Sequence, residues 1–368
     1  MVHTDLCDRF GIEHPIVGFT PSEHVAAAIS RAGGLGVLGC VRFNDAAELD
    51  AVLDWMDTHT DGKPYGVDVV MPSKIPTEGT QVDLDALIPP QHREFVERTL
   101  ADLGVPPLPE GEQAGGGVLG WLHSVARSHV DVALQHPVRL IANALGSPPP
   151  DVIEEAHRHD VPVAALAGTA KHAARHVEQG VDVVVAQGYE AGGHTGEIAS
   201  MVLLPEVVDA VGDRVPVLAA GGIGTGRQIA AALALGAAGV WMGSAWLTTA
   251  EYTEGLPASA MQRALLAASS ADTVRSRIYS GKPARLLKTR WTQAWSAPGA
   301  PEPLPMPLQN ILVSEAHARI MRSSDPEVVA MPVGQIVGRL NEVRPVAEVM
   351  AGLVGELEET LDRLGKLR

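Results

Sequence analysis

"VPVLAAGGIGTGRQIAAALALGAAGVWMGSAW", residues 215–246, decides the fold. The apolar run at 215–220 ends in a glycine pair. Thr225 then opens an alanine-rich stretch that stops at Gly236, and a second apolar run begins at Gly239. Strands covered on both faces read as short continuous apolar runs rather than as strict alternation. Threonine is a good helix N-cap and glycine a common helix stop. The stretch therefore predicts strand, glycine loop, helix and strand, in the parallel manner. No charged residue lies between Gln228 and Ala250, but Gly236, Gly239 and Gly243 interrupt the ~20 continuous apolar residues that a membrane helix needs. No membrane span is expected.

The same alternation extends toward the N-terminus. Strand candidates occur at 15–20, 35–41, 65–71, 138–146, 161–168 and 181–188, ahead of 215–222 and 239–246. Helical stretches fall at 22–34, 45–56, 150–160, 169–180 and 225–236. Ser22 is placed to cap the first, and Asp45 with Glu48 has the spacing of a capping box in the second. About eight strand–helix units predict a (β/α)8 TIM barrel with an additional helical cap. An open doubly wound sheet is the alternative, because sequence does not reveal closure.

Two regions break the rhythm. Residues 73–136 read as a helical insertion near the active-site mouth, with helices at 92–104 and 118–136 joined by the Pro/Gly-rich 105–117. Residues 251–368 include a proline-rich linker at 297–308 and an amphipathic helix near 342–365, expected to complete the cap. The barrel itself is assigned to 1–72 and 137–250.

The chain has 368 residues, a formal net charge of -16 and 46% hydrophobic residues, enough for a large core. Acidic charge without a basic run excludes nucleic acid and anionic membrane surfaces as expected partners. Only Cys7 and Cys40 occur, which predicts a reducing, cytoplasmic setting without a disulfide framework. The N-terminal "MVHTDLCDRFG" lacks the apolar core of a signal peptide. Self-association into a homo-oligomer is left open.

Chemistry on a barrel sits in the loops after the strands. Three of these are glycine-rich here: "QGYEAGGHTGE" 187–197, "AAGGIGTG" 219–226 and "WMGSAW" 241–246. Glycines in the last two loops let backbone N–H groups approach a phosphate, although by themselves they equally suit tight turns. Ser244 offers a hydroxyl, or is ordinary packing at a strand end. His194, one of 14 histidines, follows Gly192 and Gly193; it is either a solvated loop residue or a base facing a flat ligand. Glu190 is placed to orient its ring or to be solvated. "HRH" 157–159 and "KHAARH" 171–176 lack an assembled third ligand, read as solvated helix faces, and predict no metal.

"AQGYEAGGHTGE", "VPVLAAGGIGTGRQIAAALALGAAGVWMGSAWL" and "SGKPARLLKTRW", with "HPIVGFT", "AAAISRAGGLGVLG" and "YGVDVV", together resemble the nitronate monooxygenase family, formerly the 2-nitropropane dioxygenases. The resemblance implies FMN as cofactor and His194 as the catalytic histidine beside flavin and substrate. It implies flavin contacts at Asp68, Gln187, Gly192, Gly193, Trp241, Met242, Gly243 and Ser244, with Gly221 and Gly222 at the phosphate. It also implies an alkyl nitronate and O2 as substrates, giving a carbonyl compound and nitrite. Three departures stand out. Gly18-Phe19-Thr20 replaces the usual "APM", Asp68 stands where asparagine is common, and the insertion is long. An enoyl-thioester reductase using NAD(P)H is the rival activity. A flavin-binding protein without turnover, or a sugar-phosphate isomerase or aldolase relying on Lys74 or Asp68, is more remote.

Overall fold

The computed structural model describes residues 2–71, 84–110, 123–254 and 259–367. In chain order, α1 (Asp5–Phe10) leads into β1 (Ile16–Thr20), α2 (Glu23–Arg31), β2 (Leu35–Gly39), α3 (Ala46–His59) and β3 (Tyr65–Val69). Next come α4 (Pro90–Asp102), α5 (His123–Ala133), β4 (Ile141–Asn143), α6 (Pro150–Arg158), β5 (Val163–Ala167), α7 (Ala170–Glu178) and β6 (Val183–Gln187). A two-residue β7 (Gly193–His194) precedes α8 (Ser200–Val211), β8 (Val217–Ala220), α9 (Gly226–Ala234) and β9 (Gly239–Met242). The remainder holds α10 (Ala260–Ala267), β10 (Thr273–Ser276), β11 (Ala284–Leu287), α11 (Arg290–Ala294), α12 (Leu308–Met321) and α13 (Val346–Gly365).

All eight apolar runs are parallel strands of one closed barrel, in the order β1-β2-β3-β4-β5-β6-β8-β9. Closure, which the sequence left open, is made by β9 on β1, with Ile16 opposite Val240 and Gly18 opposite Met242. Successive side chains point to opposite faces. Val17, Val37, Leu140, Ala142, Ala164, Val183, Val185, Leu218, Ala220 and Trp241 accordingly fill the barrel, and the alternate residues face the helices. The predicted caps form: Ser22, Asp45 and Thr225 accept the N–H of Val25, Glu48 and Gln228. The Glu48 carboxylate in turn accepts the N–H of Asn44.

Two helices lie elsewhere than expected. α5 does not join the cap: its Ala126, Val130 and Ala133 share a core with Leu49, Leu53 and Met56 of α3, so it is the barrel's own helix between β3 and β4. α13 packs on α9 and α2 and completes the helical ring. Its Val346, Met350, Leu353 and Leu357, spaced three to four apart, make one buried face. Gly226 admits it, because a Cβ there would lie 2.2 Å from the Leu357 nitrogen. α8 went unread because Pro205 lies inside it and no side chain caps its N-cap residue, Ala199. The insertion loop at 111–122 lies outside the described residues.

The cap is built from α4, α11 and α12 around Phe95, Leu100, Trp291, Trp295, Val313 and Ile320. Arg319 fastens the insertion to it. Its guanidinium donates to the carbonyls of Val105 (3.1 Å) and Pro106 (2.9 Å) and to the Glu97 carboxylate (2.9 Å). Arg319→Ala would leave two carbonyls unpaired, at a cost of about 2–3 kcal/mol, which discounts the exposed Glu97 partner. The expected result is an earlier thermal unfolding of the cap; an unchanged melting curve would mean that water replaces the guanidinium.

Candidate active site

The sixth βα loop is held from three sides. The Glu190 carboxylate accepts the Ser200 N–H (3.1 Å) and so caps α8. It does not orient the imidazole. Arg285, 3% exposed, donates from Nη2 to the Tyr189 carbonyl at 3.0 Å, with its guanidinium 4.6 Å from the Tyr189 ring centre. Arg275 donates to the Thr195 carbonyl at 3.1 Å. These arginines come from the β10–β11 hairpin, and β7 adds to that hairpin as a third strand, with His194 opposite Ala284. "SGKPARLLKTRW" thus builds the far wall of the site.

His194 is fixed by that wall. Its Nε2 shares a 2.6 Å hydrogen bond with the Oγ of Ser280, which is fully buried. The Tyr279 ring lies 6.3 Å away and stacks in turn on His317 at 5.1 Å. Burial, and after it the nearby Lys282 ammonium, pull the His194 pKa down to about 4. The imidazole is therefore neutral near neutral pH and able to accept a proton. Burial alone takes His317 down to about 4. Ser280, Tyr279, Lys282 and His317 were not singled out from the sequence. The signal was present in "SGKP", but only the pairing of β11 with β7 shows that it reaches His194.

The barrel mouth gathers most of the remaining candidates. Gly221 and Gly222 both have left-handed backbones, with φ of 100° and 69°. A Cβ on Gly222 would lie 2.9 Å from the Glu190 Cγ, and one on Gly221 would lie 3.2 Å from the Ala191 Cβ. Among the described residues the N–H groups of Gly222 and Ile223 have no partner in the chain. The N–H groups of Gly224 and Gly226 are taken by the side chains of Gln228 and Glu356. The Ser244 hydroxyl accepts the Gly334 N–H at 2.9 Å, and a Cβ on Gly192 would lie 2.7 Å from that same nitrogen. The sixth and eighth loops thus meet on the segment around Gly334. Gly193, with φ of 73°, borders open space.

Asp68, next to the end of β3, and Gln187, the last residue of β6, face the barrel's interior, since Val67 faces the helices and Val185 fills the barrel. Asp68 is 3% exposed, its Oδ1 has no hydrogen-bond partner, and burial raises its pKa to about 7. Trp241 points inward and stacks on Phe19 (6.2 Å, 19°), which sets an aromatic pair at the mouth beside Gly39 and Gly243. Phe19 comes from the atypical "GFT". Thr20 of that segment accepts the Ser22 N–H instead of facing the mouth. Met242 differs from expectation: its side chain is buried between barrel and helices, its backbone pairs with Gly18 of β1, and its carbonyl accepts the Trp246 indole N–H at 2.8 Å. His176 also differs. It is buried rather than solvated, bonded to Ser147 (2.5 Å) and to the Leu166 carbonyl (3.1 Å). Lys74 lies outside the described residues.

A closed parallel barrel with a glycine-lined mouth and a half-buried neutral histidine frames the site, and the similar proteins make it that of a flavin-dependent oxidoreductase. The nitronate monooxygenase profile matches residues 3–356, and the chain belongs to that family. It is 50% identical to the "Putative monooxygenase Rv1533" of Mycobacterium tuberculosis, across 100% of this chain and 99% of that one. Among solved structures it resembles nitroalkane oxidase from Streptomyces ansochromogenes, with 29% identity and a TM-score of 0.79 over 98% and 99% of the two chains. It also resembles FabK from Thermotoga maritima, with 26% identity and a TM-score of 0.74 over the whole of both. Among the described residues no helix is long and apolar enough to cross a membrane.

Proposed function

We propose that the protein is an FMN-dependent nitronate monooxygenase that converts alkyl nitronates and O2 to carbonyl compounds and nitrite. The observation that carries this reading is His194, neutral, half-buried and fixed by Ser280 at the edge of a glycine-lined mouth. The residues present suit the cofactor. The unpartnered N–H groups of Gly222 and Ile223 suit a phosphate. The unpartnered Asp68 Oδ1, Gln187 and the Phe19–Trp241 pair suit a flat polar ring. Bound FMN would supply the electron acceptor for the reaction.

The chain's own part is positioning and proton handling. A neutral nitroalkane must lose a C–H proton, and the unprotonated imidazole of His194 accepts it. A preformed nitronate needs no base, and His194 then binds its oxygens. The Lys282 cation beside the imidazole favours an anionic substrate. Family membership and the likeness to a nitroalkane oxidase both support this reading.

The protein is expected to purify yellow, and acid release followed by chromatography should yield FMN rather than FAD. A colourless protein that takes up no FMN would refute the proposal. Ser280→Ala should retain FMN yet turn over about 3–10-fold more slowly, the equivalent of one ordinary hydrogen bond. Unchanged turnover in that variant would mean that the ring is held without the serine.

A further inference from the structure

We infer that Asp68 meets the bound flavin as a neutral carboxylic acid, donating its proton to the ligand, so that FMN binding weakens as the solution becomes alkaline. The inference rests on the FMN reading above and adds to it the protonation state of one residue.

The geometry excludes a stable carboxylate. Asp68 sits at the inner, C-terminal end of β3, between Gly39 of β2 and Ala142 of β4, and is 3% exposed. Its neighbours offer one favourable contact, the Ala144 amide. Asn143 could have been a donor but is fully committed. Its Oδ1 accepts the Met71 N–H at 2.7 Å, and its Nδ2 donates to the carbonyls of Met71 (3.2 Å) and Gly146 (2.8 Å).

The titratable groups on the elements packed against β3 do not compensate either. The Cys40 thiol donates to the Leu38 carbonyl and is held protonated by burial and then by Asp68 itself. Arg42 pairs with Glu23 and His24 with Glu254. Burial keeps His129 on α5 below its usual pKa, and what opposes this comes from the backbone and charge of Asp45 and from Glu48. Among the described residues no cation pairs with Asp68.

A buried charge without a partner takes up a proton instead. Burial raises the Asp68 carboxyl to about 7, and a flat ring set against it brings no cation to hold a charge there. A neutral acid has what the unpartnered Oδ1 position can use: a proton to give to a ring acceptor. A negative charge would also oppose the arrival of electrons on the ring.

The test is the FMN dissociation constant of wild type and Asp68→Asn from pH 5.5 to 9.5, followed by flavin fluorescence. Ionisations of FMN itself are common to both proteins and cancel in the ratio. If only the acid form binds, the wild-type constant relative to the variant rises about tenfold per pH unit above the carboxyl pKa, about 100-fold between pH 6 and 9. The asparagine amide keeps a donor without a proton to lose, so binding by the two proteins should be similar at pH 6. A ratio that is flat with pH overturns the inference. So does one that rises toward acid, which would mark an anionic acceptor. Failure of both proteins to bind FMN at any pH would instead refute the FMN reading, and this inference with it. The wild-type profile alone carries the sign if the variant does not fold.

Discussion

Replacing His194 by asparagine should lower the turnover of a neutral nitroalkane about 10²–10⁴-fold, the usual cost of losing an acid–base group. FMN content should be largely retained, since His194 faces the β10–β11 wall and the amides proposed for the phosphate lie on the loop after β8. The loss should be much smaller with a preformed nitronate, which arrives already deprotonated. The pH profile adds a second check. With a pKa of about 4, the imidazole is neutral across the working range, so the wild-type rate should fall only as acid protonates it. A fall already centred near 6.5 would mean that the ring is solvated. Equal losses for both substrate forms would assign His194 to binding rather than to proton transfer.

The same shift makes a stability prediction with a defined sign. The folded pKa of His194 lies below the value of 6.5 for an exposed histidine, so the unfolded chain binds more protons between these values. Stability should therefore fall as pH drops from 6.5 toward 4. His317, lowered in the same way, adds to the effect. Urea denaturation at several pH values reads this slope, which should be shallower in the His194→Asn variant.

Gly222→Val carries the largest expected loss of cofactor. The residue has φ of 69°, which a β-branched side chain adopts only under strain, and its Cβ would press on Glu190 at 2.9 Å. The turn would shift and the N–H groups of Gly222 and Ile223 would turn away from the phosphate. Losing two charge-assisted hydrogen bonds of about 1.5–2 kcal/mol each raises the dissociation constant about 10²–10³-fold. If Gly222→Val binds FMN as wild type does, the phosphate lies elsewhere.

The barrel was legible because its strands are short apolar runs and several of its helices carry side-chain caps, as at Ser22, Asp45 and Thr225. α8 was hidden by Pro205 and by a cap supplied from Glu190 across the fold rather than from its own N-cap residue. α5 and α13 were legible as helices but not as members of the ring. An apolar face shows that a helix packs, and not on what. The site divided along the same line. Glycine patterns mark backbone conformation directly, so Gly193, Gly221 and Gly222 could be read from the sequence. The partner of His194 could not, because Ser280 is distant in the chain and only the β11–β7 pairing unites them.

One measurement bears most directly on the central claim: nitrite formed and O2 consumed when FMN-loaded protein meets an alkyl nitronate in air, without NAD(P)H. The account predicts nitrite release that depends on both O2 and protein and falls in the His194→Asn variant. No nitrite above the protein-free rate, together with NAD(P)H oxidation driven by an enoyl thioester, would contradict it and assign the site to a reductase.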